Sequence, residues 1–250
     1  MGSSKKRKLI RYFLLTFWVL VFGWQFYQMN AQGFNKSEIL SSNQNIVFSD
    51  TDEYISFVPK VDSTMISLLF FPGALVQPDA YAPLLKDLAM RGYSTYIQKI
   101  PFRIAITDNM EDKALNKAYS KINSSSDKKW IIVGHSRGGR MAANYAAKYS
   151  QTLSGMILLG TSHPKEKDLT QIDIPVLKLS ASEDGLASPS EISQFAKNLP
   201  VNTNFVMIDG GNHSQFGYYG FQFGSGKATL TLEEQQKIIQ REIVNFLNKR

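Results

Sequence analysis

The chain contains no cysteine, only three histidines, and little net charge outside its first eleven residues. Without cysteine it can form no disulfide, thiolate metal site or cysteine nucleophile, and it can carry no lipid on sulfur. Imidazole chemistry is confined to His135, His163 and His213. The formal charge is +7, but Lys5, Lys6, Arg7, Lys8 and Arg11 supply five of those charges, so the remainder is close to balance. A nucleic-acid binder concentrates basic charge on its folded surface, and none is concentrated here, so no nucleic-acid partner is expected. There is no internal repeat and no long low-complexity stretch. No dinucleotide fingerprint, phosphate-binding loop or metal-ligand spacing occurs either, so the sequence implies no cofactor and no metal. A length of 250 residues with 43% hydrophobic content allows one well-buried domain plus an appendage.

The appendage is the N-terminus. Residues 12–29 read YFLLTFWVLVFGWQFYQM, without a charge. As a helix, such a run rises roughly 27 Å, and Leu9 and Ile10 can lengthen it toward the ~30 Å of a hydrocarbon core while Arg11 snorkels. Trp24 and Tyr27 stand where interfacial aromatics belong, and the preceding basic run favours an inside N-terminus. The expectation is a basic cytoplasmic tail over residues 1–11 and a single-pass membrane anchor over 12–29. A polar stalk follows over 30–44, and an extracytoplasmic domain over 45–250. The competing reading is a secreted protein whose signal is cleaved after Ala31-Gln32-Gly33. The run is long and bulky for a signal, which favours the anchor.

Beyond the stalk, short apolar runs alternate with helical patterns. Strands are expected at 46–49, 54–59, 65–71, 93–99, 130–134, 154–160, 174–180 and 204–208, several of them apolar throughout, as strands buried on both faces must be. Helices are expected at 79–91, 112–122, 137–149 and 191–198. A last helix begins at Thr231, with Glu234 completing a capping box. The alternation predicts a mostly parallel, doubly wound α/β sheet, its first two strands forming an antiparallel hairpin at one edge.

One motif carries chemistry. Gly134-His135-Ser136-Arg137-Gly138 places G-x-S-x-G between the strand WIIV and a helix rich in alanine. A serine on this strand–turn–helix junction is pushed out above the sheet, and the glycines let strand and helix approach. Ser136 is therefore the candidate nucleophile, while His135 faces away and has a structural part. In such sheets the acid and then the base follow the serine along the chain. His213, after the last strand, is the candidate base, and His163 is a loop or pocket-wall residue. The acid is sought in SASEDGLAS: Asp184 is the choice, adjacent Glu183 the alternative, and Asp209 is assigned to a turn. Two backbone amides must meet the oxyanion. One is expected from Arg137, the other from Ala74 or Leu75 in the loop FFPGALVQ.

Gly73-Ala74 after FFP, GHSRGG, the SEDG loop and above all GGNHSQFGYYGFQFGSGKATLTLEEQQ resemble the bacterial α/β-hydrolase fold-5 family, from about Tyr54 to the C-terminus. The resemblance implies an α/β-hydrolase fold and a carboxylic-ester-hydrolase-like triad of Ser136, Asp184 and His213 acting on a small-molecule ester. Arg137 stands where that family commonly has leucine, and Tyr218 and Ser225 where it often has acidic residues. Phe216, Tyr218, Tyr219, Phe221 and Phe223 alternate with glycines after His213, and either line an acyl pocket or pin the loop to the core. Between the strands ending near Gly160 and starting near Ile174, SHPKEKDLTQID is too short and polar to make a cap, so no sizeable cap domain is expected. An open site of this kind favours short acyl chains.

Overall fold

Eight runs of apolar, β-branched and aromatic residues form a single sheet in the computed structural model, which describes residues 2–61, 64–125 and 127–250. The strands are β1 (Ile46–Asp50), β2 (Tyr54–Pro59), β3 (Ile66–Phe71), β4 (Ser94–Gln98), β5 (Lys129–His135), β6 (Gly155–Leu159), β7 (Val176–Ala181) and β8 (Asn204–Ile208). Their spatial order is β1-β2-β4-β3-β5-β6-β7-β8. β1 pairs antiparallel with β2 and β2 with β4, and every later pairing is parallel. All residues of β3, β6 and β7 are buried, which is why β3 and β6 are almost continuously apolar; β7 also buries Lys178 and Ser180.

Helices cover both faces. The N-terminal helix α1 (Gly2–Gln28) projects from the domain, and a single turn α2 (Lys36–Ile39) follows it. On one face of the sheet lie α3 (Ala82–Met90) and, later in the chain, the C-terminal helix (Leu232–Leu247), which bury Leu84, Leu85, Leu88, Ile239, Ile243 and Phe246. On the other face, α4 (Asp108–Asn123) and α5 (Arg137–Tyr149) bury Leu115, Ile122, Met141, Ala142, Ala143 and Ala146. A short helix α6 (Pro189–Phe195) precedes β8, and the C-terminal helix is α7. Thr231 and Glu234 make the expected capping box at its start. α4 begins four residues before its expected position because Thr107 caps it, its side chain accepting from the Met110 amide. No helix or strand lies between β6 and β7, so the fold has no cap there. That connection is tied down: the buried Lys178 Nζ donates to the His163 carbonyl at 2.6 Å, and Asn198 Nδ2 to the Pro164 carbonyl at 3.2 Å. Burial draws the Lys178 pKa down to about 7.

Residues 30–44 read as a stalk in sequence, yet the structure lays them along the domain. Met29 and Ala31 are buried, Ala31 bridges Tyr219, the Gln77 amide donates to the Met29 carbonyl at 2.9 Å, and the Gln32 amide donates to Tyr218. Lys86 Nζ gathers the carbonyls of Glu38, Ile39 and Ser41. Polar composition misled here because the segment binds through its backbone, which composition does not reveal.

The turn joining β5 to α5 fixes the position of Ser136. A Cβ on Gly138 would lie 2.0 Å from the Phe71 carbonyl oxygen, and one on Gly134 2.2 Å from the Gly138 oxygen. Both neighbours are backbone, which cannot swing aside. Gly138→Ala is accordingly expected to destabilise the domain by about 3 kcal/mol, at the upper end of ordinary overpacking costs. In thermal unfolding that is a fall in Tm of roughly 6–12 °C. A wild-type Tm would show that the junction has slack.

Candidate active site

Ser136 sits between β5 and α5 with φ 53° and ψ −119°, a backbone conformation that a non-glycine residue adopts only under strain of about 1–3 kcal/mol. Leu75, Phe102 and Arg103 also have positive φ and lie in the loops that follow β3 and β4 at the same end of the sheet; one further such residue, Met65, precedes β3 at the other end. The loops that follow β7 and β8 bring the other two candidates to the same place.

His213 Nε2 lies 3.0 Å from Ser136 Oγ, and its Nδ1 lies 2.8 Å from Asp184 Oδ2. His213 and Asp184 are both almost wholly buried, while Ser136 retains contact with solvent. The second carboxylate oxygen, Oδ1, accepts the amides of Leu186 at 2.8 Å and Ala187 at 2.7 Å. Those bonds leave Oδ2 free for the imidazole. The His213 amide donates to the Ser225 carbonyl at 3.1 Å. This contact uses only the backbone of Ser225, so it does not depend on the side chain at that position. Glu183, the alternative acid, points to solvent and accepts from Ser182 Oγ at 3.1 Å.

Of the two amides considered in the first oxyanion loop, Leu75 donates to the Arg103 carbonyl at 2.7 Å and so is occupied. Among the described residues, no acceptor pairs with the Ala74 amide or the Arg137 amide. Sequence left Ala74 and Leu75 undivided because the Leu75 bond reaches a residue on a different loop. Two residues that sequence did not single out hold this loop. Tyr81 Oη accepts the Gly73 amide at 3.0 Å and lies 2.9 Å from His135 Nδ1, so His135 braces the loop from beneath Ser136. Burial, and His213 beside it, push the His135 pKa well below its ordinary value and keep the ring neutral. Arg103 is the other, through its carbonyl. A tyrosine eight residues after a Pro-Gly loop was the only available hint of the first.

Arg137 Nη2 donates to the Ala105 carbonyl at 3.1 Å and stands 3.8 Å from Glu111 Oε2. Glu111 is buried and also faces Arg140 and Asn144. The Arg137 cation is thereby drawn toward α4. His163 is mostly buried 3.6 Å from Glu166, and burial lowers its pKa to about 4, so at neutral pH this contact is not an ion pair. His163 lies on the loop after β6, as expected, and Asp209 lies in a turn after β8. The aromatic loop divides: Phe216 stacks under His135 with ring centroids 5.5 Å apart and Tyr219 is buried, whereas Phe221 and Phe223 are exposed.

The arrangement can move a proton from a hydroxyl to an imidazole held by a carboxylate, with two free amides nearby. Residues 67–237 match the model of the alpha/beta hydrolase family. The chain belongs to that family. It is a hydrolase, and solved structures share its architecture. A CIB-like hydrolase from Thermoplasma acidophilum is 16% identical with a TM-score of 0.60, covering 80% of this chain and 97% of its own. Est1E from Butyrivibrio proteoclasticus is 13% identical with a TM-score of 0.58, covering 83% and 100%. A soluble variant of monoglyceride lipase from Saccharomyces cerevisiae, in complex with a substrate analog, is 12% identical with a TM-score of 0.61, covering 84% and 96%. No curated protein matches the chain by sequence. The mostly parallel sheet, the antiparallel β1–β2 pair at its edge and the capless β6–β7 connection agree with the expectation from the sequence, and the β2–β4 pair is antiparallel as well.

Proposed function

We propose that the protein is a membrane-anchored serine hydrolase that cleaves carboxylic esters through an acyl-enzyme. The observation that carries this reading is the unbroken chain Ser136–His213–Asp184, with contacts of 3.0 and 2.8 Å. Ser136 Oγ attacks the ester carbonyl carbon as His213 Nε2 takes its proton, and Asp184 stabilises the imidazolium. The carbonyl oxygen, now negative, is met by the amides of Ala74 and Arg137. Collapse breaks the bond to the alcohol, which leaves with the proton from Nε2. Water then repeats the attack on the acyl group with His213 again as base, releasing the acid and restoring Ser136. Labelling with a fluorophosphonate, followed by a panel of esters, lactones and amides, tests the proposal. Absence of labelling would instead favour a non-catalytic module, and a preference for amides a peptidase.

The anchor reading rests on residues Lys6–Gln28, one helix long and apolar enough to cross a membrane. With the basic run inside, the catalytic domain stands outside the cytoplasm. Cleavage after Gly33 would remove Met29 and Ala31, which are buried, and would strip partners from Gln77 and Gly220, which favours retention of the segment. The intact chain is expected to resist carbonate extraction from membranes, and a soluble product starting at Phe34 would establish cleavage.

Because no cap follows β6, the domain offers little apolar surface to a long acyl chain in solution. For monomeric soluble esters, kcat/KM is expected to stop rising before about eight acyl carbons. A continued rise of roughly fourfold per methylene, the equivalent of ~0.8 kcal/mol of burial, would reveal an enclosed acyl groove.

A further inference from the structure

The end of α1 packs against two loops that also contribute to the candidate active site. Gln25 Nε2 donates to the Phe221 carbonyl and its Oε1 accepts the Phe223 amide, each at 3.0 Å. Gln28 accepts the Phe221 amide on its side chain at 3.2 Å and the Gly220 amide on its carbonyl at 2.8 Å. Trp24 lies 5.9 Å from the Phe221 ring and 6.0 Å from the Phe223 ring. On the other side, Arg103 donates to Asn30 Oδ1 at 2.9 Å and covers the Phe26 ring at 5.1 Å. The helix therefore meets both the loop that carries His213 and the loop whose Arg103 carbonyl occupies Leu75.

Helix length then sets depth. A hydrocarbon core of about 30 Å takes about 20 helical residues, so a span starting at Leu9 leaves the core near Gln28. The next residue, Met29, is already buried in the domain. Nothing spaces the domain from the bilayer, and whatever touches residues 24–30 lies at the lipid interface. The loops there expose apolar side chains that the fold leaves uncovered: Phe102 is 84% and Ile106 70% exposed, and Leu186, Phe221 and Phe223 are each about half exposed or somewhat less. Leu186 packs beside Gly224, so it is continuous with Phe223 and Trp24. Residues 72–77, 99–107, 185–187 and 214–226 include no carboxylate, and Arg103 places a cation among them, as an anionic or zwitterionic headgroup layer favours.

We propose that the active-site mouth is seated on the membrane that α1 crosses, with Phe102, Ile106, Leu186, Phe221 and Phe223 in the lipid interface, and that its substrates are esters resident in that bilayer. The proposal rests on α1 being a membrane span and on Ser136 being the nucleophile. It gives the missing cap a physical reason: a chain that stays in the bilayer needs no apolar cover from the protein. The short-chain preference for soluble esters and the acceptance of lipid esters are then two consequences of one geometry.

The absence of cysteine makes the test direct. Phe102→Cys, Ile106→Cys and Val201→Cys full-length chains each take a single bimane label. Val201, fully exposed on the turn before β8, lies at the opposite end of the sheet. The labelled chains are placed in nanodiscs of phosphatidylcholine and phosphatidylglycerol, with and without doxyl-labelled lipid. Severalfold stronger quenching at 102 and 106 than at 201 is expected. A chain that co-purifies with the disc but is quenched equally at all three positions overturns the seating while leaving the anchor intact. In the same discs, Phe102→Ser with Ile106→Ser is expected to lower the ratio of bilayer-ester to soluble-ester turnover at least fivefold, and an unchanged ratio overturns the substrate class. Fluorophosphonate labelling of each sample reports separately on Ser136, so failure of the catalytic reading is told apart from failure of the seating.

Discussion

Ser136→Ala is expected to abolish fluorophosphonate labelling and to lower ester kcat on the order of 10⁶-fold, leaving the domain folded. The magnitude follows from what the change removes. Ser136 Oγ is the only group in the constellation positioned to form a bond to carbon, and His213 Nε2 at 3.0 Å then has no hydroxyl to deprotonate. Removal of the nucleophile from a triad costs about as much as removal of all three members, and the residual rate comes from the oxyanion donors and binding. The fold should survive, because Ser136 contributes little buried surface and makes no side-chain cap to α5. Alanine at φ 53° carries about the same backbone strain as serine, so unfolding midpoints should stay near wild type. Labelling undiminished in the variant would mean that another residue reacts, and the assignment of Ser136 would fall.

How much of this was legible in the sequence varies with the range of the interaction involved. The strands buried on both faces were readable from continuous apolar runs such as ISLLFF and GMILL, whereas the largely exposed edge strands β1 and β8 were readable only as short apolar, β-branched runs within the strand–helix alternation. The turn at Ser136 was readable because the contact requiring glycine at 138 is with the adjacent strand end, a feature repeated wherever this junction forms. Contacts between distant loops left no such trace. Nothing in ALVQ tells that the Leu75 amide is taken by Arg103, 28 residues later, while that of Ala74 is not. Nothing in NAQGFNKSEI tells that its backbone bonds to residues near 77 and 218. The aromatic loop shows both cases. Phe216 and Tyr219 are core residues, and Phe221 and Phe223 are surface residues, yet all four share the same glycine-spaced pattern. Phe216 packs on His135 and beside Gly160, whereas Phe221 and Phe223 meet Trp24 of α1, and a local pattern cannot encode contacts so distant in the chain.

The acid supplies the second large effect. Asp184→Asn is expected to lower kcat by about 10⁴-fold, because a triad carboxamide favours the wrong imidazole tautomer. In the wild type, His213 Nδ1–H donates to Oδ2 at 2.8 Å, which leaves Nε2 as the acceptor facing Ser136. The two amides of Leu186 and Ala187 claim the other oxygen, so in the variant the carboxamide keeps its oxygen on them and turns its NH2 toward the ring. An NH2 there donates to Nδ1, the proton moves to Nε2, and Nε2 can no longer accept from the serine. The geometry itself need not change. Glu183→Gln should behave differently, although it lies next along the chain. Its carboxylate is exposed, and what the site uses of Glu183 is backbone: its amide donates to the Gly211 carbonyl at 2.9 Å. Gln preserves that bond, so kcat and KM should remain near wild type. Steady-state kinetics on one soluble ester compares the two variants under conditions where both are folded. If the Glu183 variant proves the slower, the bonds at Asp184 serve only to hold the loop, and the carboxylate that orients His213 during turnover must be Glu183 after a rearrangement of that loop.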